Sequence, residues 1–161
     1  MNTPTADLCD AHDAGQGQGE LMILPGEWRW FGQERSFSGP VSTVETGGSN
    51  YHIRQALAEP GAGRVLLIDA QGDQRACIGE NLALLARRNG WAGVVVRGNL
   101  RDAAQLKDIS LGVVALGTWP ARTENNEGGR RDVPVLLENR PILPGDVVCA
   151  DEDGVLILRH R

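Results

Sequence analysis

The 161-residue sequence predicts a mixed α/β fold in which at least part of the sheet is parallel. Two observations carry this. Unbroken apolar runs such as Val65-Leu66-Leu67-Ile68 and Val94-Val95-Val96 read as strands buried on both faces, and they alternate with helical segments through the middle of the chain. After residue 131 the pattern becomes strand after strand, joined by Pro-Gly and Asp-Gly turns.

Residues 5–14 predict a short helix, and the run GQGQGE that follows punctuates the chain. Residues 1–27 are therefore expected to be a helix and arm within one domain, 1–161. Trp28 and Trp30, with Arg29 between them, read as one face of a strand. Ser49 and Asn50 are placed to cap a helix over 51–59 that turns Ile53 and Leu57 to one face. Pro60-Gly61-Ala62-Gly63 ends that helix, a buried strand covers 64–69, and Gln71-Gly72-Asp73 turns into a second short strand at 74–78.

Gly79-Glu80-Asn81 opens a helix with Leu82, Leu85 and Ala86 inward and Arg87 and Arg88 outward, closed at Asn89-Gly90 by a left-handed cap. Residues 91–96 return as a strand, and Gly98-Asn99-Leu100 leads to Arg101-Asp102 at the head of a short helix. A further buried strand spans 111–118, and 119–131 has no apolar period and reads as loop. The end supplies β-structure at 133–137, 146–150 and 155–158.

Composition excludes several functions. A net charge of -5 offers no general attraction to nucleic acid. No stretch reaches the roughly 18 to 20 apolar residues that span a bilayer, and the N-terminus lacks a signal-like apolar core, so a cytoplasmic protein without a membrane partner is expected. Cys9, Cys77 and Cys149 form no C-x-x-C pair, and no histidine stands in a recognisable arrangement with them. Neither Gly15/Gly17/Gly19 nor Gly61/Gly63 follows a strand and opens a helix, as a dinucleotide loop must.

The informative segment is Gly79-Glu80-Asn81-Leu82, followed after one helix and one strand by Arg101-Asp102. If helix and strand run antiparallel, the start of one meets the end of the other at an edge of the sheet. A helix start favours an anion, Arg101 can grip a carboxylate through two hydrogen bonds, and Asp102 offers hard oxygen to a divalent cation. Those parts suit a 2-oxo acid. The plain alternative is a helix-dipole charge at Glu80 and a surface ion pair at Arg101 and Asp102.

The segments TADLCDAH, FSGPVSTV, ALAEPGAGRVLLIDAQG, GENLALLARRNGWAGVVVRGNLRD, ISLGVVALGTWP and LPGDVVCADEDGVLIL, in that order, resemble the RraA-like family over nearly the whole chain. That family contains 4-hydroxy-4-methyl-2-oxoglutarate aldolases and regulators of ribonuclease activity A. The resemblance implies a three-layer β/β/α sandwich of the swivelling-domain type and a homotrimer, sometimes a dimer of trimers.

It further implies that Arg101 binds the pyruvyl end of the substrate, that Asp102 holds Mg2+ or Mn2+, and that 79–82 line the pocket, with Arg101, Asp102 and Glu80 as the catalytic set. Arg122 is the counterpart of a basic residue in catalytic relatives. The chain departs from the pattern at Glu80, where the family usually has Asp. Longer relatives add an acidic residue from a C-terminal extension, which a sequence ending at Arg161 is expected to lack.

The expected activity is metal-dependent (class II) retro-aldol cleavage of a 4-hydroxy-2-oxo acid to pyruvate, with oxaloacetate decarboxylation, since both reactions leave a pyruvate enolate. A Schiff-base route is disfavoured because Lys107 is the only lysine and lies on an exposed helix. The alternative is a non-catalytic protein that restrains a ribonuclease. The regulator branch looks to lack the aspartate after the arginine, and Asp102 favours the enzyme. No glycine-rich adenosylmethionine loop follows a first strand.

Overall fold

A computed structural model of the chain describes residues 2–17 and 19–160; Gln18, in the predicted glycine-rich arm, lies outside them. In chain order the elements are helix α1 (Thr5–Asp13), strands β1 (Glu20–Ile23), β2 (Arg29–Trp30) and β3 (Phe37–Glu45), and helix α2 (Tyr51–Leu57). Strand β4 (Val65–Asp69), helix α3 (Glu80–Arg88), strand β5 (Gly93–Leu100), helix α4 (Ala103–Leu106) and strand β6 (Gly112–Thr118) follow. The remainder is β7 (Arg130–Arg131), β8 (Val135–Leu137), β9 (Arg140–Ile142), β10 (Val147–Asp151) and β11 (Gly154–Arg159).

These build a mixed sheet in the order β1-β11-β10-β3-β4-β5-β6-β2, with β7 added to β3 and a separate β8-β9 hairpin. Strands β3 to β6 pair in parallel, and the flanking pairs are antiparallel. Alternation along the parallel strands then divides the apolar residues between two faces. Leu66, Ile68, Val94, Val96 and Val113 pack with helical residues such as Ile53, Leu57, Ala83 and Ala86. Val65, Leu67, Val95 and Val114 pack with Phe37, Leu137, Val148 and Val155 from the β-rich end. Each such side chain, taken fully from water, contributes about 1.5–3 kcal/mol.

Two glycines make room for Phe37. A Cβ at Gly93 or Gly112 would stand 2.5 Å or 2.1 Å from its ring, so the strand starts of β5 and β6 must stay bare where the ring lies.

Most predicted elements are present, and several are corrected. Strand β3 was not expected as a strand; Ser38-Gly39-Pro40 breaks its apolar run, yet Pro40 is exposed at the point where β3 changes partner from β10 to β4. The expected strand at 74–78 is reduced to isolated bridges from Ala76 to Asn99 and Arg122. Helix α2 ends at Leu57, short of 59. Its cap is Ser49, whose hydroxyl accepts from the Tyr51 amide at 3.1 Å, while Asn50 makes no side-chain cap. Leu85 is only half-buried, whereas Leu82, Ala83 and Ala86 face the core.

The left-handed close of α3 is present, with Gly90 at φ 79°. Only Arg29 and Trp30 of the tryptophan segment form strand, and the Trp30 indole donates to the Asp151 carbonyl at 3.0 Å. All three cysteines are free. Among the described residues no helix is long and apolar enough to cross a membrane.

Candidate active site

The parallel strand β5 delivers the Arg-Asp pair. Its pairing with β6 slips between Val96 and Asn99, so one extra residue is carried on β5 just before its exit, which bends the strand end. Arg101 follows immediately, its amide donating to the Ile78 carbonyl at 3.0 Å. Asp102 then adopts a left-handed backbone, φ 61° and ψ 38°, which an aspartate tolerates better than most residues.

That turn aims the Asp102 carboxylate at the start of α3. Oδ2 accepts from the Glu80 amide at 2.9 Å. The N-cap of α3 is Gly79, which has no side chain to satisfy the open amides, so Asp102 satisfies the first of them, that of Glu80, from across the chain. Gly79 gives the carboxylate its place: a Cβ there would lie 2.4 Å from Asp102 Oδ2. The antiparallel return of helix and strand expected from the spacing is therefore present.

The Arg101 guanidinium donates to the Pro120 carbonyl at 3.2 Å. The next loop is tied to the same edge, since Ala76 N–H donates to the Ala121 carbonyl at 2.8 Å and Thr123 N–H to the Ala76 carbonyl at 3.1 Å. Arg122, between those ties, is exposed beside the cleft.

The cleft encloses about 430 Å³, and residues 79–82, Arg101, Asp102 and Arg122 all line it. Glu80 and Arg101 are half-buried, Asn81 and Asp102 exposed, and Leu82 is shared with the helical core. Among the described residues no group of three His, Cys, Asp or Glu converges as a metal cluster. Among the described residues the carboxylates on the cleft wall are Glu80 and Asp102.

The sequence reading missed Asn50, Arg54, Cys77 and Arg88, which share this wall. Asn50 is 6% exposed, and its Oδ1 is buried without a hydrogen-bond partner among the described residues. Its position before a helix had signalled only a cap. Burial, reinforced by Asp73 and Asp69 and partly offset by Arg75, pushes the Cys77 thiol up to about 12, which leaves it protonated and inert.

Fold and cleft together define a mixed α/β protein with an arginine-lined crevice beyond the carboxyl ends of its parallel strands. The chain belongs to the RraA-like family, whose Aldolase/RraA model matches residues 5–157. A relative from Alkalilimnicola ehrlichii, provisionally named a 4-hydroxy-4-methyl-2-oxoglutarate aldolase, is 45% identical and covers 99% of this chain and 97% of its own length. The solved structure of the RNA-processing inhibitor RraA from Thermus thermophilis has a TM-score of 0.90 at 38% identity, covering 99% of this chain and 94% of that one. The solved structure of an S-adenosylmethionine: 2-dimethylmenaquinone methyltransferase from Geobacillus kaustophilus also has a TM-score of 0.90, at 36% identity over 99% of this chain and 96% of that one.

Proposed function

We propose that the chain is a divalent-metal-dependent lyase that cleaves 4-hydroxy-4-methyl-2-oxoglutarate-type 4-hydroxy-2-oxo acids to pyruvate and also decarboxylates oxaloacetate. The observation that carries this reading is the Glu80–Asp102 bond, which sets a helix start, two carboxylates and Arg101 around one crevice. The relatives' aldolase names point the same way.

Two hard carboxylates with no third protein ligand among the described residues suit Mg2+ or Mn2+, which keep water and substrate oxygens in their shell, and do not suit a zinc-type site. Asp102 would hold the cation directly or through water, with Glu80 beside it. When bound, that cation would supply Lewis-acid stabilisation of an enolate. Arg101 grips the carboxylate at the pyruvyl end and steadies the negative charge that develops there. Residues 79–82 and Arg122 line the space for the remainder of the acid. In the cleavage the bond between C3 and C4 breaks, the 4-hydroxyl proton departs as a carbonyl forms at C4, and the electron pair stays on the pyruvate enolate, which is protonated at C3. Loss of carbon dioxide from oxaloacetate leaves the same enolate.

In this reading the two apolar cores on opposite faces of the parallel strands make a three-layer β/β/α sandwich, and the protein works in the cytoplasm as a homotrimer or a pair of trimers. A second reading, a regulator that binds and restrains a ribonuclease, is favoured by the likeness to the Thermus inhibitor. Pyruvate release from 4-hydroxy-4-methyl-2-oxoglutarate and from oxaloacetate, with magnesium or after chelation, separates the two. Metal-dependent release that disappears in Asp102→Ala is expected; no release above the magnesium blank from either substrate would favour the regulator.

A further inference from the structure

We infer that Arg54 and Arg88 form a second anion subsite at the far end of the cleft, which selects acids by the charged group most distant from the pyruvyl end. The inference rests on the lyase reading for what occupies the near end.

Arg54 lies in the last turn of α2 and Arg88 in the last turn of α3. The two helix ends are tied together, because the Asn89 side-chain amide, next to Arg88, donates to the Leu57 carbonyl, one turn beyond Arg54, at 2.7 Å. Both arginines line the crevice whose other end is the Glu80–Asp102 junction. From Glu80 to Arg88 the helix axis advances about 12 Å. Helical side chains lean back toward the N-terminus, so the long Arg88 side chain shortens that separation, and a single acid with two anionic groups can bridge what one carboxylate cannot. Leu84 and Leu85, partly exposed along the wall between, suit its carbon chain.

The electrostatics argue for a ligand. Arg64, Arg75, Arg97, Arg130, Arg131 and Arg159 are paired with carboxylates, and of the described arginines without such a partner Arg54, Arg88, Arg101 and Arg122 line the cleft, whereas Arg35 and Arg87 lie away from it. Among the described residues Arg54 and Arg88 make no side-chain hydrogen bond or ion pair. The cleft sets four arginines against Glu80 and Asp102, a positive surplus on a chain of net charge -5. A concave wall of one sign concentrates oppositely charged ligands, and the planar guanidinium matches a carboxylate. Arginine at a helix C-terminus also complements the macrodipole, but that role would act on stability and leave ligand affinity alone.

Titration calorimetry of the intact protein with magnesium separates these roles, using oxalate as the probe for the pyruvyl end and tricarballylate as the extended polycarboxylate. In Arg54→Gln and in Arg88→Gln the tricarballylate affinity should fall about tenfold or more, the weight of one charge-assisted hydrogen bond, with oxalate affinity unchanged. Wild-type tricarballylate affinity in both variants would overturn the inference, whether their melting temperature falls, as for a dipole role, or their oligomer dissociates, as for pairing with a second copy. Arginine-dependent tricarballylate binding without oxalate binding would support the subsite and reject the lyase reading. A wild type that binds neither probe would reject both.

Discussion

The carboxylate of Asp102 accepts a hydrogen bond from the backbone amide of Glu80 at 2.9 Å, so the residue offered to a cation also closes the start of α3. The two roles can be separated. Asp102→Asn keeps an acceptor for the amide and a side chain that tolerates the left-handed backbone, and should unfold in urea close to wild type. Asp102→Ala loses the cap as well and should cost about 1 kcal/mol of stability. Pyruvate release should fall at least about 100-fold in both variants, since each lacks the charge. Equal stability of the two would show that the cap contributes nothing.

Gly79→Ala tests the same contact from the other side. The backbone at Gly79, φ -144°, is open to any residue, so the added methyl acts only by displacing Asp102 Oδ2, 2.4 Å away. The variant should fold, bind magnesium more weakly in calorimetry and release pyruvate more slowly. Unchanged magnesium affinity and activity would mean that the position of the carboxylate is not critical.

Asp151 anchors α1 to the β10–β11 hairpin by accepting from the Thr5 amide at 2.8 Å and the Thr5 hydroxyl at 2.7 Å. Burial alone would raise its carboxyl; the Thr5 bonds and the amides of Asp153 and Gly154 outweigh it and hold the group below the usual carboxylate range. A lowered folded-state pKa contributes stability above the unfolded-state value, and that contribution disappears as pH falls through about 4 and below. Thr5→Ala should therefore cost about 1 kcal/mol at pH 7, with the gap to wild type narrowing toward pH 3. A gap independent of pH would point to lost packing.

Cys77 lies on the cleft wall with its thiol pushed up to about 12. Ellman's reagent should leave it unmodified in the native protein and label it only on unfolding, and Cys77→Ala should retain activity. Rapid native labelling at Cys77 would contradict its burial.

The parallel strands were legible because both faces of β4, β5 and β6 are covered, so each reads as a continuous apolar run. The meeting of Glu80 with Asp102 was legible for a related reason: a helix and strand that fold back on each other bring their far ends together, whatever the side chains. Strand β3 was hidden by Gly39 and Pro40, whose usual role as breakers is overridden where the strand changes partner. Arg54 and Arg88 were hidden because each alone reads as an outward, solvated helix charge. Only the packing of α2 against α3 brings them to the same wall, and no local periodicity encodes that contact.

The double pairing of β3 also bears on how the chain reaches its structure. Its first half needs β10, with Phe37 opposite Ala150, and its second half needs β4, with Glu45 opposite Asp69. The nearby partner closes a short loop, but the distant one must wait for most of the polypeptide to be in place, and long loops are slow to close. Refolding should show an early species in which the central parallel strands and their helices are protected from hydrogen exchange, before β10, β11 and the N-terminal β1 dock. A nascent chain lacking its last strands would hold β3 with one edge bare, a template for another chain until synthesis supplies the cover.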